Sequence, residues 1–206
     1  MARNVIRRSA FSDSHYLDCK ADKEVNMENL KATAFIVPII ALIIIFILYM
    51  QLLKHSNNRS DFKRVSYLII AFSFLLNFVW EMFQMPLYEG MEPGIQTIIF
   101  CALAAVADTV MVLLIYYAFG FIYKTPLWIK HLNYIRIILL ILTGGFGAVL
   151  MELRHLHSGT WGYKQTMPLI PFVDVGGLPV LQFMSLPLLS YVISFYFIKK
   201  KSNVRI

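Results

Sequence analysis

Charged residues are scarce in this sequence of 206 residues: they make up 15% of it, whereas hydrophobic residues make up 58%, and the mean hydropathy is +0.64. A soluble domain of this length carries about 25% charged and about 45–50% apolar residues. The scarcity of charge excludes an ordinary soluble globule. The high hydrophobicity excludes a disordered chain, because such chains have too few apolar residues to form a core. The composition therefore predicts an integral membrane protein with one compact helical domain.

Cysteine is also rare, with two residues, and no histidine lies inside a predicted span. Cys19 lies in a charged tail and Cys101 in an apolar run, so neither a disulfide framework nor a cysteine-rich metal site is expected. The five histidines all fall in tails, loops or at span ends, which argues against a haem held between facing helices. His155 and His157 with Glu152 leave a metal site as a lesser alternative. We predict no cofactor and no metal.

Basic residues outnumber acidic ones, with 19 Lys+Arg against 12 Asp+Glu and a net charge of +7. In a membrane protein such an excess marks the cytoplasmic loops, so we predict no nucleic-acid partner. The sequence has no internal repeat with an inverted partner, which weakens the interpretation as an inverted-repeat transporter.

Five stretches approach the ~20 apolar residues that a membrane-spanning helix requires. We predict an all-α, polytopic membrane helical bundle with five transmembrane helices, at residues 32–53, 65–87, 95–123, 132–151 and 178–198. The basic residues beside these spans lie mostly on one side, which places the N-terminus outside and the C-terminus in the cytoplasm. Those residues are Lys54, Arg59, Lys63, Arg64, Lys124, Lys130, Arg136, Lys199, Lys200, Lys201 and Arg205. The other side has only Arg154 and Lys164 in its loops.

The two ends of the sequence are polar. Residues 1–31 are charged with mixed sign and contain no apolar stretch of a signal peptide, so we expect a disordered tail. The basic residues of this tail oppose the predicted orientation. A translation start at Met27 would remove most of them and make residues 1–26 an artefactual extension. Residues 199–206 are expected to form a basic cytoplasmic tail.

Three acids within or at the ends of the predicted spans, Glu81, Asp108 and Glu152, are the candidate catalytic residues. A carboxylate at the centre of a span costs about 2.5–3.5 kcal/mol on insertion scales and persists mainly with a partner or a function. Asn77, Glu81 and Gln84 share one helical face because they are spaced by four and three residues. Asp108 lies about 15–20 Å along its span and Glu81 under about 10 Å from the end of its own. A single site therefore requires a deep pocket or a late start of the third helix.

The segment between the fourth and fifth spans is too apolar for a solvated loop, so we expect it to lie in the interface or to fold over the helices as a lid. Trp161 and Tyr163 are expected at headgroup depth, either as an aromatic belt or as rings that stack on a substrate. Gln182 enters the outer half of the last span. The candidate substrate-binding residues are Asn77, Trp80, Gln84, His155, Trp161, Tyr163 and Gln182.

Several of these residues belong to motifs through which the sequence resembles a family of small bacterial inner-membrane proteins with no assigned activity. The motifs are Trp80-Glu81 followed by Pro86-Leu87-Tyr88, Asp108 after a run of small residues, and Gly159-Thr160-Trp161-Gly162-Tyr163 with Met167-Pro168, Pro171, Gly177-Leu178-Pro179 and Leu181-Gln182. The likeness covers residues 65–195 and implies a bacterial inner-membrane location. Relatives have a His-Cys pair where this sequence has Leu103-Ala104, and a Trp where it has Leu153.

A looser likeness, in architecture and acid placement only, is to membrane enzymes that modify isoprenoids and sterols. We therefore expect an outer-leaflet polar pocket and an enzyme that acts on a lipid or isoprenoid by carboxyl-mediated proton transfer. A non-enzymatic binding protein or a proton- or cation-coupled transport component is the alternative, and a scaffold whose acids only hold helices together is a third. Membrane lipids and an apolar small molecule are the expected partners, whereas the sequence predicts no oligomeric state.

Overall fold

The computed structural model describes residues 39–203, with side chains through Lys199. Five helices follow one another: α1 (Ile39–Lys54), α2 (Arg59–Gln84), α3 (Ile95–Ile122), α4 (Tyr134–His157) and α5 (Gly177–Asn203). Short 3-10 turns lie at Met85–Leu87 and Trp128–His131, and a hairpin of β1 (Leu169–Ile170) and β2 (Val175–Gly176) lies directly before α5. Of the described residues, 43–203 form one compact unit, whereas 39–42 belong to the preceding one.

Four of the helices, α2 to α5, are long and apolar enough to cross a membrane. This confirms the prediction of an all-helical membrane protein at the level of fold class. Helix α1 is too short in its described part to count as a fifth span. The predicted tail at 1–31, residues 32–38 of the predicted first span, and residues 204–206 lie outside the described residues.

Three helices extend beyond the apolar stretches that predicted them. Helix α5 continues to Asn203, so residues 199–203 of the predicted basic tail are helical. Helix α2 begins at Arg59 instead of residue 65, because the side chain of Asn58 caps it by accepting from the backbone N–H of Asp61 at 3.0 Å. Helix α4 ends at His157 instead of residue 151, and its last turn carries basic side chains that favour a helix C-terminus. His155 and Glu152 consequently share one helix, with His155 lying one turn after Glu152 and not in a loop.

The spanning helices pack in the order α3, α2, α5, α4, and α3 and α4 have no extended contact with each other. Helices α4 and α5 approach each other closely where Gly144 lies against the backbone of Phe183. A Cβ added to Gly144 would lie 1.9 Å from the carbonyl oxygen of Phe183. This order leaves a cleft between α3 and α4, with α2 and α5 behind it.

One end of the bundle is solidly packed around Trp128, which is fully buried. The Trp128 Nε1 donates to the carbonyl oxygen of Tyr116 at 3.0 Å, and the Tyr191 hydroxyl donates to that of Val112 at 2.6 Å. The guanidinium of Arg136 lies 4.3 Å from the ring centroid of Tyr123. We call this the basic end. The opposite end, which carries the connections at 88–94 and 158–176, is called the hairpin end.

Candidate functional site

Polar side chains from three helices meet at Gln182 of α5. Its Nε2 lies 2.9 Å from Oδ1 of Asn77, 3.2 Å from Oε1 of Glu81 and 2.8 Å from Oδ2 of Asp108. The side chains of Glu81 and Asp108 also contact each other. Asn77 and Gln182 are each 1% exposed, so both amides are buried. The structure thus brings the acids of α2 and α3 into one cluster, which we call the Gln182 cluster.

Gln84 completes the Gln182 cluster from the last turn of α2. Its Nε2 donates to Oε1 of Glu81 at 2.8 Å and to Oε1 of Gln182 at 3.3 Å. The Trp80 indole N–H donates to the Gln84 Oε1 at 3.1 Å and so orients the amide. Asn77, Glu81 and Gln84 lie on the face of α2 that meets α5, in keeping with their spacing of four and three residues.

The depths of Glu81 and Asp108 agree because α3 starts far beyond the end of α2. Asp108 follows 13 residues of α3, about 20 Å of helix, whereas α2 continues only three residues past Glu81. Since Gln182 contacts both carboxyls, the first turns of α3 project past the last turn of α2. The helix starts at Ile95, as early as predicted, and a long cleft makes the common site possible.

Glu152 of α4 has a different set of partners, all from the loop that follows its helix. Its Oε2 accepts from the Trp161 indole N–H at 3.2 Å and from the Tyr163 hydroxyl. The Trp161 ring stacks on that of His155, with centroids 3.9 Å apart, and meets the ring of Tyr88 edge-on. Glu152 is 8% exposed. A buried carboxyl is thus held by an indole, a phenol and an aromatic stack.

The phenol of Tyr163 stays a neutral hydrogen-bond donor at ordinary pH. Burial raises its pKa above the usual 10.0, and the hydrogen bond that it donates to Glu152 raises the pKa further. Burial likewise raises the pKa of Tyr88. Neither ring therefore adds negative charge to the site.

The loop at 158–176 folds over the hairpin end and pairs with the connection after α2. The backbone N–H of Glu89 donates to the carbonyl of Gly162, and that of Lys164 donates to the carbonyl of Leu87, both at 2.9 Å. The Lys164 ammonium donates to the carbonyl of Pro86 at 3.0 Å. The loop is therefore joined to the other side of the bundle, where a lid would lie.

All three acids line one cavity of about 720 Å³, which occupies the cleft between α3 and α4. Its other lining residues on these two helices are Phe100, Cys101, Leu103, Ala104, Ala107, Met111, Leu114, Ile115, Ala118, Phe119 and Ile122 of α3, and Thr143, Gly144, Gly147, Ala148, Met151 and His155 of α4. Leu103 and Ile122 are 64% and 67% exposed, so the mouth of the cleft lies on the apolar outer surface. Along α3 the cleft extends about 33 Å from Phe100 to Ile122.

The predicted site residues divide into two groups. Seven line the cavity: Glu81, Gln84, Asp108, Glu152, His155, Trp161 and Gln182. Asn77, Trp80 and Tyr163 do not line it, and each instead hydrogen-bonds to a residue that does.

Some lining residues were not singled out from the sequence. Tyr88, Met85, Met151 and Phe183 line the cavity, and Tyr88 is buried beneath Trp161 and Tyr163. Tyr88 belongs to one of the motifs that carry the family resemblance, and that motif was the one available signal. The others are ordinary apolar residues of spans, which no pattern separates from residues that face lipid.

No group of three histidine, cysteine, aspartate or glutamate side chains within residues 39–203 is arranged to hold a metal ion. No known family matches the sequence, and neither a curated protein nor a solved structure is significantly similar to it. The geometry of the cleft is therefore the basis for the function proposed next.

Proposed function

We propose that the cleft between α3 and α4 binds a lipid or isoprenoid and that its carboxyls transfer protons on that ligand. The observation that carries the proposal is that Glu81, Asp108 and Glu152, which come from three different helices, line the same largely apolar cavity. Burying three acids in a membrane protein costs free energy, and such acids persist mainly where they have a partner or a function. A common function of the three acids in one cavity would account for their presence. The exposed mouth of the cleft supports a ligand that enters from the lipid phase.

The Glu81–Asp108 pair is the proposed proton-transfer centre. Two carboxyls in contact are favourable only when one holds a proton, so the pair offers an acid and a carboxylate together. The acid protonates one carbon of a ligand double bond, which leaves a cation on the other carbon of that bond. The neighbouring carboxylate then removes a proton from the next carbon, on the far side of the cation. The result is a shifted double bond with no net gain or loss of atoms. Tyr88 and Trp161 also line the cavity, and we assign them the role of stabilising the intermediate cation.

The apolar wall of α3 disfavours the alternative of proton or cation transport. Beyond Asp108, toward the basic end, the lining residues of α3 are Met111, Leu114, Ile115, Ala118, Phe119 and Ile122. A proton relay across the membrane requires polar side chains or water over this distance. The same wall suits the hydrocarbon chain of a lipid.

We further propose the finer topology of the bundle. The chain crosses the membrane five times, the hairpin end faces outward, and the basic end faces the cytoplasm. The concentration of lysine and arginine at the basic end supports this orientation. A bacterial inner membrane is the proposed location, on the motif resemblance alone.

Deuterium exchange tests the proposed chemistry without knowledge of the substrate. The purified protein is incubated in heavy water with the lipid extract of its host membrane, and the lipids are analysed by mass spectrometry. Reversible protonation at carbon inserts deuterium into a discrete lipid species. We expect wild type to label such a species and Glu81→Gln and Asp108→Asn to abolish the labelling, since the amides cannot supply the proton.

Asp174→Asn is the matched control. Asp174 is exposed on the hairpin turn, does not line the cleft, and has φ 52°, a conformation that asparagine adopts readily. This variant should label lipids as wild type does. Gel filtration shows whether each variant remains monodisperse. Equal labelling by wild type and a monodisperse Glu81→Gln, or labelling by neither, would contradict the proposal.

A further inference from the structure

The ionisable side chains that line the cleft are mainly acidic. Its titratable side chains include three carboxyls and His155, and within the described part of the chain it has no lysine or arginine. Arg154 and Lys164, the basic residues near this end, do not line it. Arg154 is exposed, and the ammonium of Lys164 donates to a backbone carbonyl. Phosphate groups in proteins are normally held by such cations, so the cleft lacks the usual means of binding a phosphorylated lipid.

A helix N-terminus is the other common phosphate-binding element. Helix α5 begins beside the cleft, but its first lining residue is Pro179, which has no N–H to donate. The backbone N–H of Gly177 donates to the carbonyl oxygen of Pro168 at 2.7 Å. The start of α5 therefore does not replace the missing cations.

Hydrogen-bond donors in the Gln182 cluster are already used within the protein. An amide nitrogen has two hydrogens, and Nε2 of Gln182 has three acceptors within reach, on Asn77, Glu81 and Asp108. Nε2 of Gln84 donates to the same Oε1 of Glu81 and to Oε1 of Gln182. The N–H groups of both amides are therefore directed at oxygens of the protein.

The acceptors that remain belong to the acids. Oε1 of Glu152 receives no hydrogen from the described side chains, and Oε2 of Glu81 and Oδ1 of Asp108 receive none apart from the carboxyl proton that the pair shares. All three carboxyls line the cavity, so a ligand in the cleft can reach them. The site therefore suits a ligand group that donates hydrogen bonds.

We propose that the natural ligand is a long-chain lipid whose polar head donates hydrogen bonds and carries no negative charge, such as an isoprenoid alcohol or amine, and is not a phosphorylated lipid. This inference rests on the proposed function in that it assumes the cleft to be the lipid site. The head lies at the three acids, and the chain lies along α3 toward Ile122. The distance from Asp108 to Ile122 is about 21 Å of helix, longer than one leaflet of the roughly 30 Å hydrocarbon core.

A matched set of ligands with one chain and three heads tests the proposal. Native mass spectrometry from detergent micelles measures the binding of geranylgeraniol, geranylgeranylamine and geranylgeranyl monophosphate to the full-length protein. We expect the alcohol and the amine to bind at least about tenfold more tightly than the monophosphate, because like charges at a binding site oppose each other. The double substitution Glu81→Gln with Asp108→Asn should reduce this ratio, whereas Asp174→Asn should preserve it. If the double variant does not fold, Glu152→Gln takes its place.

The outcomes separate this inference from the proposed function. Binding of the monophosphate as tight as that of the alcohol overturns the head-group inference and leaves the lipid site intact. Binding of none of the three overturns both. Discrimination against the monophosphate that persists unchanged in the carboxyl variants also overturns the inference, because the acids would then not be its cause. Discrimination as expected together with no deuterium exchange supports the head-group inference and contradicts the proton-transfer chemistry.

Discussion

Gly144 offers the sharpest test of the packing that forms the cleft. In Gly144→Ala the new Cβ would lie 1.9 Å from the carbonyl oxygen of Phe183, whereas ordinary contacts begin at 3.4 Å, so α4 and α5 must separate by about 1.5 Å. Overpacking of this kind costs about 1–3 kcal/mol. The higher helix propensity of alanine offsets up to about 1 kcal/mol. Relative to an alanine placed where it meets no atom, in which the gain in propensity is the same, we expect a loss of about 1–3 kcal/mol, or about 2–12 °C in Tm for a chain of this size.

Gly147→Ala is the matched control, three residues further along α4. A Cβ at Gly147 meets no atom within 4 Å, so only the gain in helix propensity remains and the Tm should stay equal or rise. Thermal unfolding of both variants in the same detergent, followed by circular dichroism, gives the comparison. Equal Tm values for Gly144→Ala and Gly147→Ala would refute the close approach of α4 to Phe183, and with it the order of helices that leaves the cleft open.

Two further perturbations address the polar groups. Gln182→Met keeps the side-chain volume but removes the donor shared by Glu81 and Asp108. Hydrogen bonds between membrane helices contribute about 0.6 kcal/mol each, so the Tm should fall by a few degrees. Deuterium exchange into the lipid should also decrease. An unchanged Tm and exchange would show that the Gln182 cluster does not hold the carboxyls. Tyr163→Phe tests the raised pKa of Tyr163. The neutral hydroxyl contributes its full stabilisation at a pH below 10.0, the usual pKa of tyrosine. That stabilisation is lost as the pH rises from 10.0 toward the raised pKa of the folded protein. Above pH 10 the Tm of wild type should therefore fall more steeply with pH than that of Tyr163→Phe, and parallel slopes would contradict the assignment.

The membrane character of the protein could be predicted because hydropathy reports directly on the hydrocarbon-spanning part of each helix. The polar ends of α2 and α4 escaped prediction for the same reason, since hydropathy does not register a cap such as Asn58 or a last turn rich in basic residues. The shared face of Asn77, Glu81 and Gln84 followed from helical periodicity alone.

The tertiary relations of the site were beyond such reasoning. Helical periodicity does not tell how two helices are offset along the bundle axis. The contact of Asp108 with Glu81 could therefore not be predicted, because it depends on how far α3 projects past the end of α2. The partners of Glu152 come from an irregular loop, and neither its path nor the stack of His155 on Trp161 has a sequence signature. The hypothesis of a common chamber rested on the free-energy cost of burying acids in a membrane. In the structure, the three acids line one cavity.

The two backbone hydrogen bonds between the loop at 158–176 and the connection after α2 lie at the hairpin end, whereas the mouth of the cleft lies on the apolar outer surface. They pair Glu89 with Gly162 and Lys164 with Leu87. Under the proposed function, a molecule dissolved in the bilayer enters between α3 and α4 without disturbing either pair. The proposed site thus selects by partitioning: a compound must prefer oil to water before the protein can recognise it.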